Sequence, residues 1–285
     1  MGFYPQPNDW SCGPFALKHA LVALGQMASE SEIAKHARTH WWSGTDEIRL
    51  AKAARAYGCE LRYVRHRDPE RARKELIAAL RRGPVLLCVD DWGHWIAVLR
   101  HHQGTFVVVD SDLDPVLNLL TWTKLRRRWR YLDTDYDDLD PPELYDLYAV
   151  KPRFRAPMRA DFSVTRVKHL RRASNQDLAE HWNSYLDDLL AICRPRHNRM
   201  LLPLSMAEFL RRHQDLIVSR TDYWHGDVEP TAVKQLLSKY RFVAETYGLV
   251  IPRAASRRAV ADIAILATLW IATTRGVGPM YGSGE

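Results

Sequence analysis

The chain has 285 residues, 46% hydrophobic and 26% charged, near the average for a soluble globular protein with one large core or two modest ones. No stretch approaches the roughly 20 apolar residues that a spanning helix needs. The best candidate, Ala259 to Thr274, is shorter and carries Asp262. The net charge of +7 is uneven: residues 1–152 hold 21 Lys and Arg against 21 Asp and Glu, whereas residues 153–285 hold 20 against 13. The second half is therefore the better place for an acidic partner.

Residues Met1 to Gln6 lack the basic and apolar regions of a secretory signal. Cysteines at 12, 59, 88 and 193 show no paired spacing. A reduced, cytoplasmic chain with isolated thiols is expected, with no metal and no cofactor.

Gly13 to Leu24 reads as an amphipathic helix with Pro14 in its first turn. Ser29-Glu30-Ser31-Glu32 fits a capping box. Thr45 to Tyr57 makes a third helix, stopped by Gly58, and Asp68-Pro69 opens a fourth, closed by Gly83-Pro84. The period then changes. Val85 to Val89, His94 to Leu99 and Phe106 to Val109 are short and rich in β-branched or aromatic residues, with a hairpin turn at His102-Gln103-Gly104 and a further strand over Leu144 to Val150. Helices first and antiparallel strands afterwards indicate an α+β domain.

Lys151-Pro152 to Pro157 reads as the linker out of this first domain, 1–152. Residues 153–285 read as a mostly helical second domain. Asp177 to Ile192 forms one helix, Ser205-Met206-Ala207-Glu208 caps another, and Ser256 to Thr274 is the last. Pro230 opens a helix with Val233, Leu236, Leu237, Tyr240 and Val243 on one stripe, ended by Gly248. About four helices suffice for a small bundle.

The chemistry-bearing residues lie in the first half. Cys12 stands immediately before a helix, where the dipole favours a thiolate, and Gly13 keeps the approach to the sulfur open. His94 begins a strand after a Gly-containing turn. Asp110 ends the next strand, so a hairpin through Gly104 sets a carboxylate beside the imidazole, able to hold its tautomer. Gln6, six residues before Cys12, can reach over the sulfur. An amide donor aimed at an oxyanion is worth ~3 kcal/mol.

Gln6-x5-Cys12-Gly13-Pro14, Gly44-Thr45 before a helix, Gly83-Pro84-Val85, His94-Trp95-Ile96-Ala97-Val98 and Val109-Asp110 together resemble the bacteriocin-processing cysteine peptidases of the papain-like clan. The resemblance covers about residues 4–150. It implies a papain-like domain with Cys12 as nucleophile, His94 as base, Asp110 as its orienter and Gln6 as oxyanion donor, cutting leader peptides after a double glycine. Ser11 stands where the family often has an acidic residue, and Ser111 where it usually has proline. The substrate is a peptide or protein, joined by a peptide or isopeptide bond. Deamidation or transpeptidation at the same site is an alternative, as is a non-catalytic module binding nucleic acid or an acidic protein through the basic half.

Other features have plainer readings. Cys59, Cys88 and Cys193 are buried or incidental. His36 and His40, four apart on a helix, read as a solvated face, and His101 and His102 flank a turn. Asp133 to Asp137 and Asp110 to Asp114 mimic calcium loops but lack the required Gly and Glu. The run Trp122 to Arg130 mixes bases with aromatics, as nucleic-acid surfaces do, but equally suits pairing with the acidic stretch after it; nucleic acid is the less favoured partner.

Overall fold

The computed structural model describes residues 2–133, 141–156, 158–193, 203–225 and 228–275. The expected acidic loop at 133–137 and the terminal Gly282 to Glu285 thus lie wholly or mostly outside the described residues. The chain divides into two compact units, Met1–Asn183 and Ser184–Glu285.

The first unit opens with three helices, α1 (Cys12–Ala23), α2 (Glu30–Ala37) and α3 (Glu47–Ala56), each near its expected place. Local chemistry explains the starts of two of them: Ser29 accepts from the Glu32 amide and Asp46 from the Arg49 amide. β1 (Cys59–His66) follows, then α4 (Pro69–Leu80), capped by Asp68 with Pro69 in its first turn. β2 (Val85–Val89), β3 (His94–His102), β4 (Thr105–Val109) and β5 (Leu117–Thr121) form a meander, followed by α5 (Trp122–Trp129), β6 (Tyr131–Leu132) and β7 (Glu143–Pro152). The antiparallel sheet runs β1-β7-β2-β3-β4-β5, with β6 paired to β7. The architecture is α+β, as expected, although helices and strands interleave more than the sequence suggests.

The hairpin between β3 and β4 turns on Gln103 and Gly104, both at positive φ (46° and 77°) with His102 opposite Thr105. That twist matches the right-handed strands. β2 is buried along its whole length, β4 in all but its first residue, and β3 from Trp95 to Leu99. One core joins them to Leu76 of α4, Leu125 and Trp129 of α5, and Tyr145 and Leu147 of β7.

Residues 153–183 continue the first unit past the anticipated linker. Phe162 is 3% exposed, and its ring lies 4.7 Å from that of Phe3. α6 (Val164–Leu170) packs on β3, β4 and β5. α7 (Gln176–Glu180) and α8 (Trp182–Cys193) replace the single helix expected over 177–192.

In the second unit, β8 (Pro203–Ser205), α9 (Met206–Arg212), α10 (Gln214–His225), α11 (Pro230–Tyr247), β9 (Val250–Pro252) and α12 (Ser256–Arg275) succeed one another. Ser205 caps α9, and Gly248 ends α11 in the left-handed conformation at φ 62°. The stripe of five side chains expected on α11 is buried. Tyr240 and Trp270 both donate to Asp188, at 2.7 and 2.8 Å. Among the described residues no helix is long and apolar enough to cross a membrane.

Candidate active site

Cys12 is the first residue of α1, with Ser11 as N-cap, one position further into the helix than expected. All twelve residues of α1 are buried, because the helix crosses β3 and packs on α2 and α3. The thiol therefore sits at the N-terminus of a buried helix, where negative charge is favoured. Gly13 does something other than open the sulfur. A Cβ there would lie 3.0 Å from Thr45 Cβ and 3.5 Å from the Trp95 ring, so glycine lets the 41–45 loop close against the helix. Trp95 Nε1 donates to the Thr45 carbonyl at 2.9 Å, fixing that contact.

His94 starts β3 and Asp110 follows β4, so the hairpin through Gly104 carries both. His94 Nε2 lies 2.7 Å from Asp110 Oδ1, and the imidazole is electrostatically coupled to Cys12. An ionised carboxylate only accepts, so Nε2 carries a proton and the ring is held in one orientation. Burial opposes charge on His94, but the Asp110 hydrogen bond and the charges of Asp110 and Cys12 outweigh it and raise its pKa to about 9. Asp110 is 1% exposed. Burial alone would raise its pKa, yet hydrogen bonds from His94 and Arg128 bring it down to about 2.

Arg128 is the site residue that the sequence does not single out. Its Nη1 donates to Asp110 Oδ2 at 2.6 Å, and its Nε reaches the two Asp90 oxygens at 3.0 and 3.1 Å. One guanidinium thus joins two carboxylates, the planar fork geometry to which arginine is suited. The signal in the sequence is helical spacing: Leu125 and Trp129 of α5 are buried, and Arg128 lies beside them on the inward side, whereas Lys124 and Arg127 are exposed. Arg126 and Arg130 pair with Glu143, at 3.0 and 3.5 Å, so part of the basic run does meet the acidic stretch after it.

The other end of the Arg128 clamp holds a strained turn. Asp90, Asp91 and Trp92 all have positive φ, at 54°, 55° and 61°. Each costs roughly 1–2 kcal/mol for a residue with a Cβ. Several contacts offset this. The Asp90 amide donates to the Arg128 carbonyl at 2.8 Å, and Cys88 Sγ to the Trp92 carbonyl at 3.2 Å. Trp92 stacks on Tyr131 with centroids 3.8 Å apart and planes 6° from parallel. The turn delivers His94 to the start of β3 and presents Trp92 and Gly93 to a cleft.

That cleft, of about 520 Å³, opens over Cys12. Its walls are Trp10, Trp41, Trp42, Trp92 and Trp95, with Asp9 as its one charged lining residue. Gln6 is not among the residues lining the cleft; its backbone amide donates to the Ser111 carbonyl at 2.8 Å. Ser111 Oγ donates to Gln6 Oε1 at 2.7 Å. The carbonyl end of the side chain is occupied, which leaves the NH₂ end to donate elsewhere. Ser111, the departure from the resembling family, thus acquires a contact that proline could not make.

All four cysteines are free. Burial pushes Cys59 up to about 11, and Cys88 and Cys193 up to about 12, which makes them poor thiolates. His36 and His40 do not share a helix face: α2 ends at Ala37 and Arg38 turns left-handed, so His36 meets Tyr57 while His40 packs on Trp42. Among the described residues no group of three His, Cys, Asp or Glu could hold a metal ion.

A thiol, an imidazole and a buried carboxylate in this order can move a proton from sulfur to nitrogen and hold the resulting imidazolium. No family model and no curated protein matches the sequence. Solved structures do. The peptidase domain of Streptococcus ComA, a bi-functional ABC transporter involved in a quorum-sensing pathway, shares 16% identity over 53% of this chain and 97% of its own, with a TM-score of 0.41. A double glycine motif protease from an AMS/PCAT transporter, in complex with its leader peptide, shares 16% over 53% and 91%, at 0.40. The Streptococcus mutans ComA peptidase domain with a small-molecule inhibitor shares 17% over 53% and 100%, at 0.35.

Proposed function

We propose that this chain is a cysteine peptidase of papain-like type, and the observation that carries the reading is the 2.7 Å hydrogen bond between His94 and the buried Asp110, with the imidazole electrostatically coupled to Cys12 at the start of a buried helix. The Cys12 thiolate attacks the substrate carbonyl carbon, forming a C–S bond and an oxyanion. Gln6 Nε2 and the Cys12 backbone amide supply donors for that charge. As the C–N bond breaks, His94 gives its proton to the leaving amine. Water then loses a proton to His94 and attacks the thioester, releasing the acid and the free thiol. Arg128 is a positioning residue: it holds Asp110 for His94 and anchors the turn that precedes His94.

The substrate is a peptide or isopeptide, with cleavage after two glycines as the finer form of the proposal. The cleft over Cys12 supports a chain entering between indole faces. Residues 1–152 carry the chemistry in this reading, and the basic residues 153–285 recognise the substrate or an acidic partner. A cytoplasmic setting keeps the four thiols reduced.

Two measurements test it. A thiol-directed electrophile should modify Cys12 first, and the selectivity should vanish in His94→Ala; equal labelling of all four cysteines would contradict the reading. Incubation with a peptide library, followed by mass spectrometry, should show two fragments and the gain of one water. A gain of about one dalton on an uncut peptide would instead indicate deamidation. Gln6→Ala is expected to lower kcat by roughly 10² to 10³-fold with little change in KM, as measured for single oxyanion donors. A change in KM alone would remove Gln6 from that role.

A further inference from the structure

A second cavity, of about 480 Å³, lies at the opposite end of β3 from His94. Nine residues of strand separate the two ends, about 26 Å by the usual rise. The cavity forms where the end of α4, Gly83-Pro84, the last residues of β3 and the segment 159–162 meet. Its lining brings Arg81, Arg100, Arg159, His101 and His102 together and includes no carboxylate. The one acid beside it, Asp161, pairs with Arg100 at 3.1 Å. Among the described residues neither Arg81 nor Arg159 has an ion-pair partner, and Arg159 makes only a 3.5 Å bond to the Arg82 carbonyl. Between the charges the cavity meets the half-buried Ile77 and the edges of Leu80 and Leu99, 9% and 8% exposed, with Phe162 at 3% behind them.

These arginines are exposed, and they come from three segments onto one concavity. The positive potential is felt locally. His101 has its pKa lowered first by burial and then by the charges of Arg73, His102 and Arg81. Accordingly, its Nε2 accepts a hydrogen bond from the Gly104 amide at 3.2 Å.

We propose that this cavity binds a small phosphate-bearing molecule of about mononucleotide size, its phosphates on Arg81, Arg100 and Arg159 and its apolar body on Leu80, Leu99 and Phe162. Guanidinium groups grip phosphate oxygens in pairs. The volume lies within the range of small-ligand pockets. A nucleic-acid strand calls for an extended basic groove with stacked aromatics along it, whereas this cationic set is compact and concave.

The test is isothermal titration of the full chain with ATP, pyrophosphate and adenosine in magnesium-free, low-salt buffer. ATP should saturate one site, pyrophosphate should bind at least tenfold more weakly, and adenosine should give no heat. Arg81→Glu with Arg159→Glu should weaken ATP binding at least tenfold, while Arg211→Glu with Arg212→Glu, at exposed positions of α9, should leave it unchanged. Circular dichroism confirms that the variants fold. Should the double variant fail to fold, photolabelling of the native chain with 8-azido-ATP takes its place, with adducts expected between residues 77 and 103 or 159 and 162. Non-saturable ATP binding, indifference to the arginine substitutions, adducts elsewhere, or pyrophosphate binding as tightly as ATP would overturn the proposal. Tighter binding of a single-stranded oligonucleotide through the same arginines would overturn it in favour of nucleic acid. These outcomes are read without reference to activity at Cys12.

Discussion

Cys12→Ala is expected to reduce peptide hydrolysis by about 10⁴-fold or more, because among the described residues Cys12 is the one thiol lining the cleft and the proposed acyl intermediate forms on it. Removing a nucleophile from a comparable hydrolase costs on the order of 10⁶ in kcat, and what survives reflects binding and oxyanion stabilisation alone. His94→Ala should cost nearly as much, and the double variant little more than either single one, since the two side chains act as a unit. The neighbouring thiol provides the control. Cys88 donates to the Trp92 carbonyl, and burial pushes its pKa up to about 12. Cys88→Ala should therefore keep most of the activity. Steady-state kinetics on one cleaved peptide decide the matter. Retention of more than a tenth of the activity by Cys12→Ala would refute the proposed mechanism.

The second large effect is expected at Asp110. His94 has its pKa raised to about 9, so the imidazolium that protonates the leaving amine persists below that pH and is lost above it. Activity should fall on the alkaline side with an apparent pKa near 9. Asp110→Asn removes the charge and leaves only a neutral amide oxygen as acceptor, while the burial that opposes charge on His94 remains. The alkaline limb should then move down by at least one unit, and kcat should fall by about 10²-fold, less than the roughly 10⁴-fold seen when a serine triad loses its aspartate. Arg128→Gln should cost about tenfold, with partial rescue by Arg128→Lys, because Asp110 keeps its charge but loses its clamp. Stability responds in opposite pH ranges. The contribution of His94, raised on folding, is complete below its ordinary 6.5 and disappears as pH rises through about 9. That of Asp110, depressed on folding, is complete above 3.8 and disappears as pH falls through about 2. A pH profile of Asp110→Asn that matches the native one would contradict this account.

Much of the local structure is legible in the sequence because its causes are local. Ser29, Asp68 and Ser205 each cap a helix by reaching an amide three residues on, and the Gln103-Gly104 turn needs only two residues at positive φ. The pairing of His94 with Asp110 is legible for the same reason. A sixteen-residue interval spanned by one tight hairpin leaves the two side chains close whatever packs around them.

Other features depend on partners far along the chain. β1 carries Glu60, Arg62, Arg65 and His66 and is buried only at intervals, so it reads poorly as a strand. Pairing with β7 makes it one, and Asp146, 81 residues away, holds Arg65 at 2.7 Å. Arg128 sits in a run of similar cations. Its role follows from α5 packing against β2, which brings it to Asp90, 38 residues earlier, and Asp110, 18 earlier.

The opening residues 1–24 and the hairpin 94–110 thus determined the chemistry this chain can perform: a helix-borne thiol, an imidazole and a carboxylate. Tertiary structure decided what holds that chemistry in place. It recruited one arginine out of a basic run, kept a left-handed turn against its own strain, and gathered five tryptophans from four segments around the sulfur. Those are long-range contacts, and their energies are set by burial and charge pairing that a local pattern of residues does not encode.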